Sequence, residues 1–365
     1  MSKTLIDCHY HLCISSGQAC VENVDHLFEI MDACGLSGVC LQNITLWRSD
    51  TLQLNPLALL AKMRRPHQVY AFGGLRLPAP DATDKSGNYV EQLQELLALG
   101  FDGLKMFAKP TVRHAFGQPI DSPIYDSLLD YLENTGVPLL YHVGDPPTFW
   151  HSEQIPPACK ARGWYYGEGG YPSLETIYQE CERMLQKHPR LRILLAHFYF
   201  MGDSLDRLSA LLDRYPNLLT DITPGVEMFH QFSQDSQKAR AFFIRYQDRI
   251  LFGTDNYGRG LGLEVDYVKA AQDKIRDMLS LLEREKGTFR GVELNGLALP
   301  MPVMEKICAG NFHRWVSSKP KPVDSAASLA YTQRLLALAQ PESAAYEELI
   351  KVSSQMKAMC GGTKP

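Results

Sequence analysis

Eight short apolar runs recur along the 365-residue chain, and segments of helical pattern separate them. The runs are LIDCHYH (5–11), GVCLQNI (38–44), VYAFGGL (69–75), GLKMF (103–107), PLLYHV (138–143), RILLAHF (192–198), LLTDI (218–222) and RILFGTD (249–255). Several are near-continuous in Val, Ile, Leu and aromatic residues, the pattern of parallel strands buried on both faces. Between them VDHLFEIMDACG, YVEQLQELLALG and IYDSLLDYLENTG end at Gly35, Gly100 and Gly136, where a helix C-terminus uses glycine. SLETIYQECERMLQKHP and SLDRLSALLDRYP carry Leu and Ile at helical spacing and stop at a proline. Eight strand–helix units predict an α/β fold, a distorted (β/α)8 TIM barrel over residues 1–316. A doubly wound open sheet is the alternative, but no G-x-G-x-x-G follows the first strand. After a loose SSKPKPVDSAAS stretch, LAYTQRLLALAQ and AAYEELIKVSSQMKAM predict a C-terminal helical extension over 317–365. It packs on the barrel or on a second subunit, and a homodimer or tetramer is expected.

Functional residues of such a barrel sit at the C-terminal ends of its strands and in the loops that follow. Strand one ends in His9 and His11, which alternation places on one face together with Asp7. Strand four carries Lys105, strand five ends in His142, strand six in His197 and strand eight in Asp255. Four of the 11 histidines thus lie at the end expected to be functional. Three neutral imidazoles and a carboxylate suit Zn2+, with Mn2+, Fe2+ or Co2+ as alternatives. The bland readings are that His197 alone is a satisfied polar residue and that Asp255 caps the segment after it.

IDCHYH, LLYHVGDP, ILLAHF and RILFGTDN together resemble the amidohydrolase superfamily of metal-dependent barrels. The likeness extends to YPNLLTDI and GLALPMPVMEKICAGNFHRW and covers residues 4–316. It points to the amidohydrolase-2 group, which includes aminocarboxymuconate-semialdehyde decarboxylase and related lyases and lactonases. The resemblance implies that His9, His11, His142 and Asp255 bind the metal, one ion per chain. It makes His197 either a ligand of a second metal or the general acid/base, with Asp255 a further proton acceptor. Lys105 is either a carboxylated bridge between two metals or a free ammonium holding a substrate carboxylate; the single-metal reading is favoured here. The implied reaction is hydrolysis of an ester, lactone or amide, with decarboxylation of an aromatic or dienoic acid as its rival.

About 30 residues separate His142 from the next helix, long enough for a functional lid. Trp150, Trp164, Tyr165, Tyr166 and Tyr171 make it an aromatic cover over a ring-containing substrate, or pack it onto the rim. Asp145 is a candidate for orienting a metal ligand. Arg113 and Arg259 follow strands four and eight and can reach an anionic substrate. GRGLGL after Asp255 lacks the Lys and Ser/Thr of a phosphate loop. A net charge of -4 argues against nucleic acid or anionic membrane as a partner, leaving a small-molecule substrate. A TatD-like nuclease would place a glutamate where this chain has Lys105. Nine cysteines without a C-x-x-C pair read as reduced thiols, so the expected location is the cytoplasm.

Overall fold

The computed structural model describes residues 4–13, 18–44, 51–225, 227–257 and 266–361. The apolar runs form β1 (Ile6–His11), β2 (Gly38–Gln42), β3 (Val69–Gly74), β4 (Gly103–Ala108), β5 (Leu139–Val143), β6 (Ile193–Leu195) and β7 (Leu218–Asp221). The last run divides into β8 (Ile250–Leu251) and, just beyond it, β9 (Asn256–Tyr257). Each strand pairs in parallel with its neighbour in the order β8-β7-β6-β5-β4-β3-β2-β1-β9. Between β8 and β9, the Cys8 N–H donates to the Phe252 carbonyl at 3.0 Å and the Asp255 N–H to that of His9 at 2.8 Å. The eighth segment therefore joins β7 at one end and β1 at the other, and the sheet curls into a TIM barrel. Gly253 permits that closure, because a Cβ there would lie 2.5 Å from Thr223 Oγ1 and 3.0 Å from His9 Cβ.

The lower interior is apolar. Ile6, Cys8, Cys40, Phe72, Leu140 and Leu194 pack on Phe312 and Trp315 of the chain's 301–315 helical segment, which plugs the floor. A second, larger core lies between strands and surrounding helices and includes Tyr10, Val39 and Leu41. On β1, Asp7 aligns with Val39 but Tyr10 aligns with Leu41, so Cys8 and His9 together stand opposite the single Cys40. This β-bulge corrects the simple alternation expected from the sequence. Asp7 falls on the outer side of the strand, where Thr254 donates its N–H at 3.0 Å and its hydroxyl at 2.5 Å to the carboxylate. His9 and His11 stay inside, above Cys8.

The expected glycine stops appear at Gly35, Gly100 and Gly136, each in the left-handed conformation at a helix end. An element absent from the apolar-run pattern follows β9. It is helix Tyr267–Glu283 and the hairpin Lys286–Phe289/Val292–Asn295. The tail helices Ser325–Leu338 and Ala344–Gly361 pack on each other and on the helices that follow β1, β2 and β3. Among the described residues no helix is long and apolar enough to cross a membrane.

Asp102 ties tail to barrel. Its buried carboxylate accepts the Lys62 ammonium, the Ala71 N–H at 2.9 Å and the Lys321 N–H at 2.7 Å, while Lys62 also donates to the Gly100 carbonyl at 2.6 Å. Removing the carboxylate leaves Lys62, with 0% exposure, as an unpaired buried cation. Asp102→Ala is therefore expected to cost about 3–5 kcal/mol in urea unfolding; a loss under about 1 kcal/mol, the value of an exposed pair, would contradict this.

Candidate metal centre

The upper interior gathers side chains from six strand ends. His9 Nε2 lies 3.2 Å from His11 Nε2, and Asp255 Oδ1 lies 3.4 Å from His11 Nε2 and 3.9 Å from His9 Nε2. These three offer donor atoms within 4.8 Å of one another. His197 Nε2 sits 3.1 Å from His142 Nδ1, and the rings of His9 and His197 are 5.1 Å apart between centroids. Burial pulls all four imidazoles below the ordinary histidine range, His11 and His197 to about 4. At neutral pH they are uncharged.

The hydrogen-bond partners then assign the tautomers. His9 Nδ1 faces Asp221 Oδ2 at 2.9 Å, an acceptor, so Nδ1 carries the proton. His11 bonds the Gln42 backbone carbonyl. His142 Nε2 donates to the Gly144 carbonyl at 3.0 Å, and His197 Nδ1 to the Thr223 carbonyl at 3.3 Å. Each ring spends its N–H outward on an oxygen. His9 Nε2, His11 Nε2, His142 Nδ1 and His197 Nε2 are left as lone pairs that face one another in two pairs, with the Lys105 ammonium 3.3 Å from His9 Nε2. Facing lone pairs repel unless a cation lies between them, so this donor set fits a divalent metal held through neutral imidazoles. Burial raises the Asp255 carboxyl, but the charge that His11, His197 and His9 gain in acid, together with Lys274, outweighs it and leaves the group well below the usual range, ionised at neutral pH.

Asp221, at the end of β7 and fully buried, serves two histidines. Its Oδ2 accepts the hydrogen bond of the His9 Nδ1–H, while Oδ1 accepts the His197 backbone N–H at 2.7 Å and the Thr223 N–H at 3.2 Å. The His197 bond fixes an unusual backbone. His197 to Phe200 all have left-handed φ, between 51° and 58°, at a cost of roughly 1–2 kcal/mol per residue. Compensation comes from Phe198, buried against Phe232, Phe242 and Phe243, and from the Tyr178 hydroxyl, which donates to the Tyr199 carbonyl at 3.1 Å. Asp255 is left-handed as well, with φ 54°. Both departures aim a site residue at the barrel axis.

Above these groups opens a cavity of 350 Å³ bordered by His11, His142, His197 and Asp255. Asp145 lines it too, accepting from the Tyr166 hydroxyl at 2.5 Å, with Lys109 Nζ at 3.4 Å and His142 Nε2 at 3.6 Å. Lys105 is buried beneath, its Nζ 3.3 Å from His9 Nε2, and burial draws its ammonium down to about 8. Arg113 is instead paired in two hydrogen bonds with Glu180, at 2.7 and 3.0 Å, and does not border the cavity. Trp150 also lies off the lining, its indole N–H donating to the Pro172 carbonyl, and packs with the lid cluster of Phe149, Ile155, Cys159 and Tyr166. Arg259 and GRGLGL fall outside the described residues. Among the described residues the cations on the wall are Lys109, Arg162 and Arg290, none of which the sequence reading singles out. Arg290 comes from the hairpin turn, with φ 52° and its N–H on Asp277 Oδ2 at 3.2 Å. Asp221 met the same test that selected Asp255, an acid closing an apolar run.

The sequence profile described as amidohydrolase, that of the amidohydrolase-2 group, matches residues 6–315. The chain belongs to the amidohydrolase family. Members of this family are metal-dependent hydrolases and lyases, generally requiring a divalent metal, in agreement with the donor set. Among solved structures, a TIM-barrel protein of Bordetella bronchiseptica is similar with TM-score 0.53 and 16% identity, over 86% of this chain and 98% of its own. The 4-oxalomesaconate hydratase of Rhodopseudomonas palustris is similar with TM-score 0.54 and 12% identity, over 91% of this amidohydrolase and 99% of the hydratase. At such identities the likeness shows the barrel fold. No curated protein matches the sequence.

Asp221→Asn presents an N–H or a weaker acceptor to His9 and disturbs its tautomer. Metal affinity, measured by competition with a chromophoric chelator, is expected to fall about 10–100-fold. Unchanged affinity would contradict the assigned role.

Proposed function

We propose that this amidohydrolase is a hydrolase of ester, lactone or amide bonds in small, carboxylate-bearing substrates, with one divalent metal per chain held by His9, His11, His142 and Asp255. The observation that carries this reading is the convergence of neutral imidazole lone pairs and an ionised carboxylate beneath a cavity with a cationic wall. A metal bound there supplies a Lewis acid that activates water and polarises a carbonyl. Asp255 accepts a proton as the nucleophile forms, being ionised and turned into the cavity. His197, neutral and with Nε2 unprotonated, takes up a proton there and passes it to the leaving group. Arg162 and Arg290 have no carboxylate within ion-pairing distance among the described residues, so they are available to an anionic substrate. Phe107, Phe149, Trp164 and Phe200 line the rest and favour a flat, apolar body. Decarboxylation of an aromatic or dienoic acid is the second reading, favoured by the same two arginines, which suit a carboxylate placed over the metal.

A panel of lactones, esters and aromatic acids, followed by proton release and by CO2 evolution, separates the two. Hydrolysis is expected to yield acid without CO2, and CO2 as the product would overturn it in favour of the lyase. Dipicolinate is expected to abolish turnover, and one equivalent of Zn2+, Mn2+, Fe2+ or Co2+ to restore it. His197→Asn is expected to keep its metal and to lower kcat about 10²–10⁴-fold. Loss of metal from that variant would make His197 a ligand instead.

A further inference from the structure

At the opposite, N-terminal end of the barrel lies a second cavity, of 190 Å³, lined by Arg192, Asn217, Asp248, Arg249, Arg314 and Trp315 among others. Arg192 precedes β6, Arg249 precedes β8, and Arg314 and Trp315 end the segment that plugs the barrel floor. Arg192 donates to the carbonyls of Gly136 at 2.8 Å, Arg314 at 3.2 Å and Trp315. Arg249 donates to those of Leu218 at 2.8 Å, Tyr215 at 3.2 Å and Leu212 at 3.4 Å. Every one of these acceptors is neutral. A guanidinium carries five N–H groups, so each arginine keeps two without a partner. Among the described residues, neither has a carboxylate within ion-pairing distance. The single carboxylate on the lining, Asp248, is already engaged by Arg314 at 2.7 Å and Lys306 at 3.0 Å. Burial draws Arg192 and Arg249 below the ordinary arginine range, Arg249 against the opposing pull of Asp213 and Asp248.

The cavity is therefore rich in donors and poor in acceptors, with positive charge arriving from three separate segments. We propose that it binds a small oxyanion of the phosphate class, free or as a monoester, through Arg192, Arg249 and Arg314. A tetrahedral anion presents oxygens to several donors at once, whereas a carboxylate matches the fork of a single arginine. The bound anion ties the Trp315 plug to the entries of β6 and β8, far from the metal centre.

The test is isothermal titration of inorganic phosphate into the full-length metal-loaded enzyme, in chloride at matched ionic strength. Saturable binding is expected to include one site per chain that is independent of the substrate cavity. Arg314→Gln, checked for native circular dichroism, is expected to weaken it about tenfold or more. The double variant Arg162→Gln/Arg290→Gln and the variant His11→Ala are expected to retain that site, which separates the floor from the substrate cavity and the metal. Absence of saturable heat overturns the proposal, as does heat that survives Arg314→Gln but is lost with the cavity arginines. A parallel titration with glycerol 2-phosphate distinguishes the sources: tighter binding than phosphate supports a monoester, weaker binding the free ion.

Discussion

The site depends on oxygen atoms that each accept a hydrogen bond from one imidazole N–H. Asp221, Gly144, Thr223 and Gln42 stand behind His9, His142, His197 and His11, and their positions decide which nitrogen of each ring faces inward. Without those acceptors the same four histidines could present N–H groups to one another and satisfy themselves. With them, the rings are held neutral with lone pairs opposed, an arrangement that is unfavourable until a cation is shared. Asp221 carries the largest part, because its two oxygens hold one ring directly and another through its backbone. A buried carboxylate in that position also supplies negative charge behind a neutral ligand, which raises the basicity of the inward nitrogen.

The barrel makes this possible by giving up regularity at its upper rim. The β1 bulge turns two consecutive residues inward, so an apolar floor residue, Cys8, is followed at once by a polar ceiling residue, His9. The left-handed turn at His197 and the left-handed Asp255 do the same for β6 and the eighth segment. Each irregularity is held by packing or by a hydrogen bond from a neighbouring strand. Stability comes from the regular lower half, where the 301–315 segment seals the floor and Asp102 anchors the tail.

Much of this could be read from the chain alone. The apolar runs predicted all the barrel strands because parallel strands buried on both faces need little else. Chemistry at strand ends was legible for the same reason, since a polar residue closing an apolar run has to face either solvent or the site. The β1 bulge was not, because a register shift depends on the partner strand and leaves no mark in a period-two pattern; Asp7 went to the wrong face on that account. Arg113 was read as a substrate contact, whereas Glu180, 67 residues away in sequence, takes it. Arg290 escaped because its place on the cavity wall depends on a helix and hairpin inserted after β9, outside the strand–helix repeat.

The central claim is that the inward lone pairs of His9, His11 and His142 share a single divalent ion with Asp255. Anomalous diffraction at the metal absorption edge, from crystals of protein purified without chelator, tests it most directly. One peak per chain bonded to His9, His11, His142 and Asp255, with Lys105 free, is the result this account predicts. Two peaks bridged through Lys105, or no peak with the imidazoles hydrogen-bonded to one another, would contradict it.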